Sequence, residues 1–550
     1  MLALPWIVAC VGGGAPADEI VPVEVVSVRV EPESLELSTT VGEPATASFE
    51  AWATFDDGTE RAINLVSWSV SNASAGDVTG DGVFTSVDSN GGSTLVTATH
   101  RGIEGSARVT VVYREALVES GVDEAVVAAF DAASATEDAS VAFGYPSDGV
   151  TVPRNLDGFA FAWTRPAGAN VSRIRFRSEL TDLSVYAADD AWTSRTALWT
   201  LIAAANRSGT VSAEVTTGIW ADGALSDVRT GPAIDLTVNR FDARGSVLYW
   251  ATASRGILRI PFGETTATRF WPEETSNACI GCHTVVEDRD QMVVTHDGVN
   301  GAFTVVDVSD ANAPRAVVDP ADDKRMTFKT VSPDGEWMLG VTNGTPELYA
   351  FQTTERRSSP AFTGGRYTHP DWAPDGSAVV AVRATGAYQS DMGFAGGELV
   401  RVPWDGSRFG TPETLVAAEA GKNLYYPAYS PDGAYIAYNR SSGDSYADND
   451  AEIWLLALDG SFHGPLVNAN TGGTQNSYPR WGPLPDDDVL WLAYSSRRAY
   501  APEPTNTPQI WVTAIDPSRA AAGEDPSATP FWLPGQDTRS DNHLPVWWSR

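Results

Sequence analysis

The sequence predicts an all-β chain: two β-sandwiches in a row, then a six-bladed β-propeller closed by its C-terminal strand. Two observations carry this. Short runs that alternate apolar and polar residues are broken by turn signals along the whole 550 residues, with 49 Gly and 34 Pro as the punctuation. One motif also recurs in the second half. TVSPDGEWMLGVT (330–342), DWAPDGSAVVAVR (371–383) and AYSPDGAYIAYNR (428–440) each give an aromatic or Val residue, Ser/Ala-Pro-Asp-Gly, and an apolar strand. A repeat of this period is the signature of a stacked array of identical units. The length predicts three or four domains.

The chain opens MLALPWIVACVGGGAPADE. Ile7-Val8-Ala9-Cys10 resembles the lipobox of bacterial lipoproteins, which implies lipidation at Cys10 and a Gly/Ala/Pro tether over residues 1–22. The alternative is a plain secretory signal with a chance Cys, since no Lys or Arg precedes the short apolar stretch. Both readings export the protein, to the periplasm or to an outer-membrane anchor that faces the periplasm or the cell surface. No run of 18 apolar residues occurs, so membrane contact is expected only through an N-terminal lipid.

Residues 23–114 read as the first sandwich. The segment is similar to bacterial immunoglobulin-like group 2 domains in Val41-Gly42-Glu43, Asp57-Gly58, Trp68-Ser69, Gly82 and the closing Ala107-Arg108-Val109-Thr110-Val111. The resemblance implies a spacer or an adhesive module, with Trp68 in the core. Residues 115–240 read as a second, fibronectin-like sandwich, with a short helix in VDEAVVAAFDAASA. Neither sandwich carries Cys, and His100 is the one His in the two.

Residues 241–550 read as the propeller. Pro-Asp-Gly makes a tight hairpin turn, with Gly taking positive φ. Two weaker copies, TVVEDRDQMVVTH (284–296) and RWGPLPDDDVLWLAYSS (480–496), and the final HLPVWW bring the number of copies to six. Val285, Val331, Trp372, Tyr429, Trp481 and Trp547 then share one column, at intervals of 41 to 66 residues. The last copy stops as a lone strand, and SVLYWATA and GILRIPFG (246–263) supply its partners, so the ring is expected to close there. The unit resembles the TolB-type six-bladed propeller through the repeated S-P-D-G turn and the P-x-W of Pro370-Asp371-Trp372, Pro479-Arg480-Trp481 and Pro545-Val546-Trp547. The resemblance implies that the P-x-W strand lines the central channel, and a habit of protein binding.

Residues 279–283 read CIGCH. C-x-x-C-H is the attachment signature of c-type haem: Cys279 and Cys282 add to the two vinyl groups of one porphyrin, and His283 offers its imidazole to the iron. With three Cys and six His in the chain, a chance match is rare. A disulfide between the two thiols and half of a zinc site remain as rivals, although no second Cys pair completes the latter. One covalent haem c is the expected cofactor. Aligned on the repeat, Cys282 falls in the column of Phe328, His369, Tyr426, Tyr478 and Leu544, which predicts a porphyrin at one mouth of the channel against that ring. For the distal iron ligand, Met326, just ahead of the next inner strand, is the first candidate and His369 the second. Lys324, Arg325 and Lys329 either pair with the propionates or form a solvated basic cluster.

The formal charge of −34 excludes a nucleic-acid partner. It suits solubility, or a cationic partner such as a basic electron carrier. No G-x-S-x-G, H-E-x-x-H, P-loop or Rossmann fingerprint occurs, and no catalytic residues are assigned. The expected function is electron transfer through one haem on the propeller rim, with a redox partner. The alternatives are an envelope protein-binding propeller with a structural or sensory haem and, third, an oxidoreductase with an open haem site.

Overall fold

The computed structural model describes residues 23–550 apart from 195, 272–279, 299, 320–322, 358–361, 446–447, 484–488 and 504–506. Cys10 and Cys279 lie outside the described residues. The chain is all-β and divides into two compact units, residues up to Tyr113 and Arg114–Arg550.

In the first unit, Val25–Glu31 pairs with Glu50–Phe55, which pairs with Glu60–Ile63. A second layer sets Ser34–Thr39 parallel to Ile103–Val118, with Gly92–His100 and Ser67–Val70 following. Alternation along each strand turns Val30, Ala53, Val96, Ala98, Val109 and Val111 inward. Phe84 and Phe49 fill the space between. Trp68 is only half-buried and packs against the edge of this core. Gly82 sits under its ring at φ +78°, where a Cβ would lie 2.5 Å from the Phe49 carbonyl oxygen.

In the second unit, Val171–Arg177 pairs with Thr181–Ala187 and Thr210–Ala221, and the latter pairs with Ala224–Thr230 and Ile234–Val238. Phe143–Tyr145, Ala160–Trp163 and Ala191–Thr193 form a smaller sheet. The expected short helix is Val126–Ala132. A further helix, Thr196–Ala205, occupies a stretch to which the sequence reading gave no element. Its Leu and Ala residues favour helix, and Leu198, Trp199, Ile202 and Ala203 bury one face, Trp199 against Phe159 at 5.3 Å. These sheets are fastened to the remainder of the unit. The Tyr145 hydroxyl accepts from the Trp532 amide at 3.0 Å, and the Thr529 hydroxyl donates to the Asp148 carbonyl at 2.8 Å.

From Ser246 to Trp548 the described residues form six successive antiparallel sheets, the arrangement of a β-propeller. Each has four strands, and the second also takes in Arg325–Met326. In the last five sheets chain order is spatial order, from an inner strand outward. The inner strands are Ile280–Val286, Lys329–Val331, Arg366–Trp372, Asn423–Tyr429, Ser477–Trp481 and Asn542–Trp548. The last of these pairs with Ser246–Ala251, so the C-terminal strand completes the sheet that the chain begins. Strands such as Tyr435–Ser441 and Gln509–Ile515 are buried almost throughout because neighbouring sheets cover both faces, which is why they read as continuous apolar runs.

The Pro-Asp-Gly segments are the turns between first and second strands. In the Ser332–Gly335 turn the Gly335 amide donates to the Ser332 carbonyl at 2.8 Å with Gly335 at φ +66°. Adjacent inner strands are also bonded to one another. The Trp372 amide donates to the Thr330 hydroxyl, the Tyr429 amide to the Asp371 carboxylate, and the Trp481 indole to the Ala428 carbonyl, at 2.8–3.0 Å.

Candidate functional site

Five of the six inner strands share one irregularity. Pairing slips between Gly281 and Thr284, Thr368 and Asp371, Tyr425 and Ala428, and Ser477 and Arg480. At each slip one residue is left-handed: Cys282 (φ +27°), His369 (+48°), Tyr426 (+50°) and Tyr478 (+58°), with Leu544 (+51°) equivalent in the closing strand. These are β-bulges, in which two residues face one partner and the strand bends. Proline follows four of the five, and its missing N–H costs nothing where the ladder is already interrupted. Left-handed conformation in non-glycine residues carries backbone strain, and a ring of such positions marks a functional candidate.

The bulges gather these side chains. Cys282, Phe328, Tyr426 and Tyr478 belong to one buried cluster with Leu544 packed on it. The His369 ring lies 4.2 Å from Phe328 and 4.2 Å from Tyr426, and the Tyr426 hydroxyl donates to that of Tyr478 at 2.9 Å. The predicted column is therefore a physical ring, but one packed on itself. Phe328, Tyr426 and Tyr478 are all buried and offer no free face. The space they leave is about 40 Å³, walled by Cys282, His283, Lys329, Arg480 and Leu544. That is far below the roughly 300 Å³ at which ligand pockets begin, so a porphyrin has no room inside the ring.

The donor chemistry beside that space does suit a metal. His283 is buried, and neither ring nitrogen meets a partner at good hydrogen-bond geometry, although the Leu248 backbone lies close enough to favour the protonated ring weakly. Desolvation, aided by the charge of Lys329, pushes its pKa down to about 3, so the imidazole is neutral. A neutral imidazole is the form that binds metal. His369 is in the same condition: both nitrogens are buried and unpartnered, and desolvation holds its pKa well below the usual range. Among the described residues no three His, Cys, Asp or Glu side chains converge as a metal cage.

Met326 lies elsewhere. It pairs in register with Gly301, packs over Gly340, and is buried among Val293, Phe303, Met338 and Tyr349. It does not line the space beside His283. Lys329 is buried with its Nζ donating to the Cys282 carbonyl and the Thr295 hydroxyl. Desolvation pushes its pKa down to about 8. Lys324 donates to the Thr354 hydroxyl. The three basic residues are thus neither one cluster nor uniformly solvated.

Sequence reading did not anticipate a role for Arg480 and Asp371, which share the middle position of the P-x-W motif. Their separation of more than a hundred residues hides the relation until the P-x-W copies are superposed. Asp371 is pushed up to about 6 by desolvation, against the pull of Arg480.

Two outcomes follow from the buried imidazoles. Each unpartnered buried polar group costs about 1–3 kcal/mol, so His283→Leu should raise stability by about 1 kcal/mol in urea unfolding, as expected of a residue kept for function. His543, stacked on Trp250 at 6.1 Å, is pushed down to about 4 by desolvation, against Asp541. Its folded pKa lies below its unfolded one, so its contribution to stability is complete above pH 6.5 and is lost as pH falls toward 4. Urea midpoints between pH 7 and 5 should fall more steeply for the natural chain than for His543→Phe, by up to about 1.4 kcal/mol per pH unit.

No family model and no curated protein matches the chain. Among solved structures it is similar to a putative TolB from Agrobacterium tumefaciens at 15% identity, covering 55% of this chain and 98% of that one, with a TM-score of 0.32. It is similar to the β-propeller domain of Cps50 (Swd1) from Myceliophteria thermophila at 14% identity, covering 53% and 90%, with a TM-score of 0.31. A nidogen/laminin complex chain gives 12% identity, 55% and 97% coverage, and a TM-score of 0.36. Likenesses of this size say nothing of activity, and the propeller character of the chain rests on its own sheet order. Among the described residues no helix is long and apolar enough to cross a membrane.

Proposed function

We propose that this chain is an exported electron-transfer protein with one c-type haem held by Cys279, Cys282 and His283. The observation that carries the reading is the coincidence of CIGCH with a neutral, buried imidazole at His283 whose ring nitrogens make no well-formed hydrogen bond. When bound, the iron supplies one-electron oxidation and reduction. The two sulfurs fix the group to the start of an inner strand, and the His283 imidazole serves as the proximal ligand. The self-packed ring behind Cys282 is the reason for seating the porphyrin outside the channel, over the Cys282–His283 lip, which requires the His283 side chain to turn outward. Lys329 holds the Cys282 carbonyl and with it the strand that carries the motif.

For the opposite iron position we favour His369 over Met326, which requires the His369 side chain, like that of His283, to leave its place in the ring between Phe328 and Tyr426. His369 has two unspent nitrogens and belongs to the ring, whereas the Met326 thioether is sunk in a separate core. In this reading the six sheets are a six-bladed propeller closed by its C-terminal strand, carried on an immunoglobulin-like and a fibronectin-like domain, and Cys10 bears the lipid. The partner is a small redox protein, with a basic one favoured by the charge of −34.

A second reading, an envelope protein-binding propeller whose haem is structural or sensory, is favoured by the closed ring, which offers no passage to a small substrate. Stopped-flow reduction by a small basic cytochrome separates the two. Fast, reversible reduction supports electron transfer, and a haem that ignores such donors supports the binding role. His369→Ala should convert the haem spectrum from low to high spin, and Met326→Ala should leave it unchanged.

A further inference from the structure

Where the smaller sheet of the second unit meets the propeller, a cavity of about 480 Å³ is left between them. Small-molecule sites run from roughly 300 to 1,000 Å³ and favour such joins. Asp157, Thr193 and Ser194 wall it on one side, and Tyr500, Glu503 and Trp532 on the other. The two sides are tied together by the chain itself. The Tyr145 hydroxyl of the smaller sheet accepts from the Trp532 amide at 3.0 Å. Tyr500 stacks on Trp532 at 4.1 Å and meets the Tyr145 ring edge to face at 5.1 Å.

The lining mixes donors with acceptors. Ser194 and Trp532 are 4% and 7% exposed, and neither the Ser194 hydroxyl nor the Trp532 indole N–H has a partner in the chain. Each such buried group carries an unrecovered desolvation cost. Desolvation first, and the Glu503 charge second, hold the Tyr500 phenol above its ordinary pKa, so it keeps its proton and can donate. On the acceptor side, Glu503 is exposed and takes the Thr538 hydroxyl at 2.6 Å on one of its two oxygens. A carboxylate accepts at about four positions. Asp157, which takes the Gly158 amide at 2.8 Å, adds a second carboxylate. Among the described residues no Lys, Arg or His lines the cavity. Arg539 acts on Glu503 electrostatically but is not part of the lining.

This lining selects a class of ligand. An anion would meet two carboxylates and no cation, in a chain of net charge −34. An organic cation would suit the carboxylates, but an ammonium has no lone pair to offer the indole N–H. A metal ion lacks its cage, since among the described residues no three His, Cys, Asp or Glu side chains converge. A hydroxyl both donates and accepts. A sugar ring carries several hydroxyls around apolar C–H faces, and the Tyr500–Trp532 pair supplies an aromatic wall for such faces.

We propose that this cavity binds a neutral mono- or disaccharide, its hydroxyls donating to Asp157 and Glu503 and accepting from Tyr500 and from the unspent donors of Ser194 and Trp532. The site shares no residue with the Cys282–His283 lip, so it stands independently of the haem.

The test is isothermal titration calorimetry on the full-length protein with maltose, cellobiose and chitobiose, and with spermidine as a cationic control. At least one of the disaccharides should bind with a Kd at or below about 1 mM. Glu503→Gln, at an exposed position, should weaken that binding about tenfold or more, because a charged acceptor makes the stronger hydrogen bond. Thr193→Trp, which sets a large ring on the exposed wall, should abolish it. Binding that survives unweakened in either variant overturns the proposal. So does the absence of binding by all three sugars at about 10 mM. A spermidine heat that Thr193→Trp removes marks a cation site and also overturns it. If Thr193→Trp does not fold, the sugar titration of Glu503→Gln decides alone.

Discussion

The double substitution C279A/C282A is expected to yield a folded protein with no covalently held porphyrin, when it is expressed alongside haem-attachment machinery that loads the natural chain. The expectation follows from the chemistry of the motif, since each thioether consumes one thiol and the chain has no other Cys near the propeller. Folding should survive because Cys282 contributes little to its cluster beyond one sulfur atom among aromatic rings. Losing it leaves a void smaller than a methylene pair, worth about 1–2 kcal/mol. The effect on loading is all or none, whereas the effect on stability is small. C282A alone should load weakly, through one thioether. His283→Leu should keep the covalent bond but lose the proximal nitrogen, which reads out as a high-spin spectrum. If C279A/C282A retained a porphyrin that resists acid extraction, the thiols would not be its point of attachment.

Asp391→Ala should be among the most destabilising single changes in the propeller, at about 3–5 kcal/mol. Asp391 is fully buried. Its carboxylate accepts from the Thr327 hydroxyl at 2.6 Å, the Asn343 amide at 3.1 Å, the Gly344 amide at 2.7 Å and the Tyr388 hydroxyl. Its own carbonyl accepts from the Thr368 hydroxyl at 3.0 Å. Thr327 and Thr368 immediately precede Phe328 and His369, so this one residue fastens two members of the channel ring from behind. Alanine would strand two backbone donors and two hydroxyls away from water, each costing about 1–3 kcal/mol. Asp391→Asn keeps the shape and one acceptor oxygen and should cost less. Urea unfolding measures the loss. Near-UV circular dichroism should report a loosened aromatic ring in Asp391→Ala even where the fold persists.

Much of this architecture was legible because it depends on local chemistry. The Pro-Asp-Gly turns are read from single residues, since only the Gly can hold φ near +70° without strain. The column of Cys282, His369, Tyr426, Tyr478 and Leu544 was legible because four of its members precede proline, and the bulges then gave that column its physical meaning. What depends on distant partners was not legible. Asp391 lies between the second and third strands of its own sheet, and its partners Thr327 and Asn343 lie in connections beside strands of earlier sheets. The helix Thr196–Ala205 was missed because an unbroken apolar run resembles a buried strand as well as a helix. Met326 is near the haem motif's neighbouring strand along the chain, but it precedes a break in that strand, and the direction of a side chain depends on register. The ring itself was expected as a platform for a porphyrin. Its aromatic faces are instead satisfied by one another, at centroid separations near 4.2 Å.

The central claim is the covalent haem, and the intact mass of the mature protein tests it most directly. Protein matured outside the cytoplasm with attachment machinery present should carry the mass of one haem per chain, retained after acid-acetone extraction, and should give a c-type pyridine haemochrome. A chain with no added tetrapyrrole, its Cys279 and Cys282 sulfurs either both reactive to alkylation or joined to each other, would contradict the account.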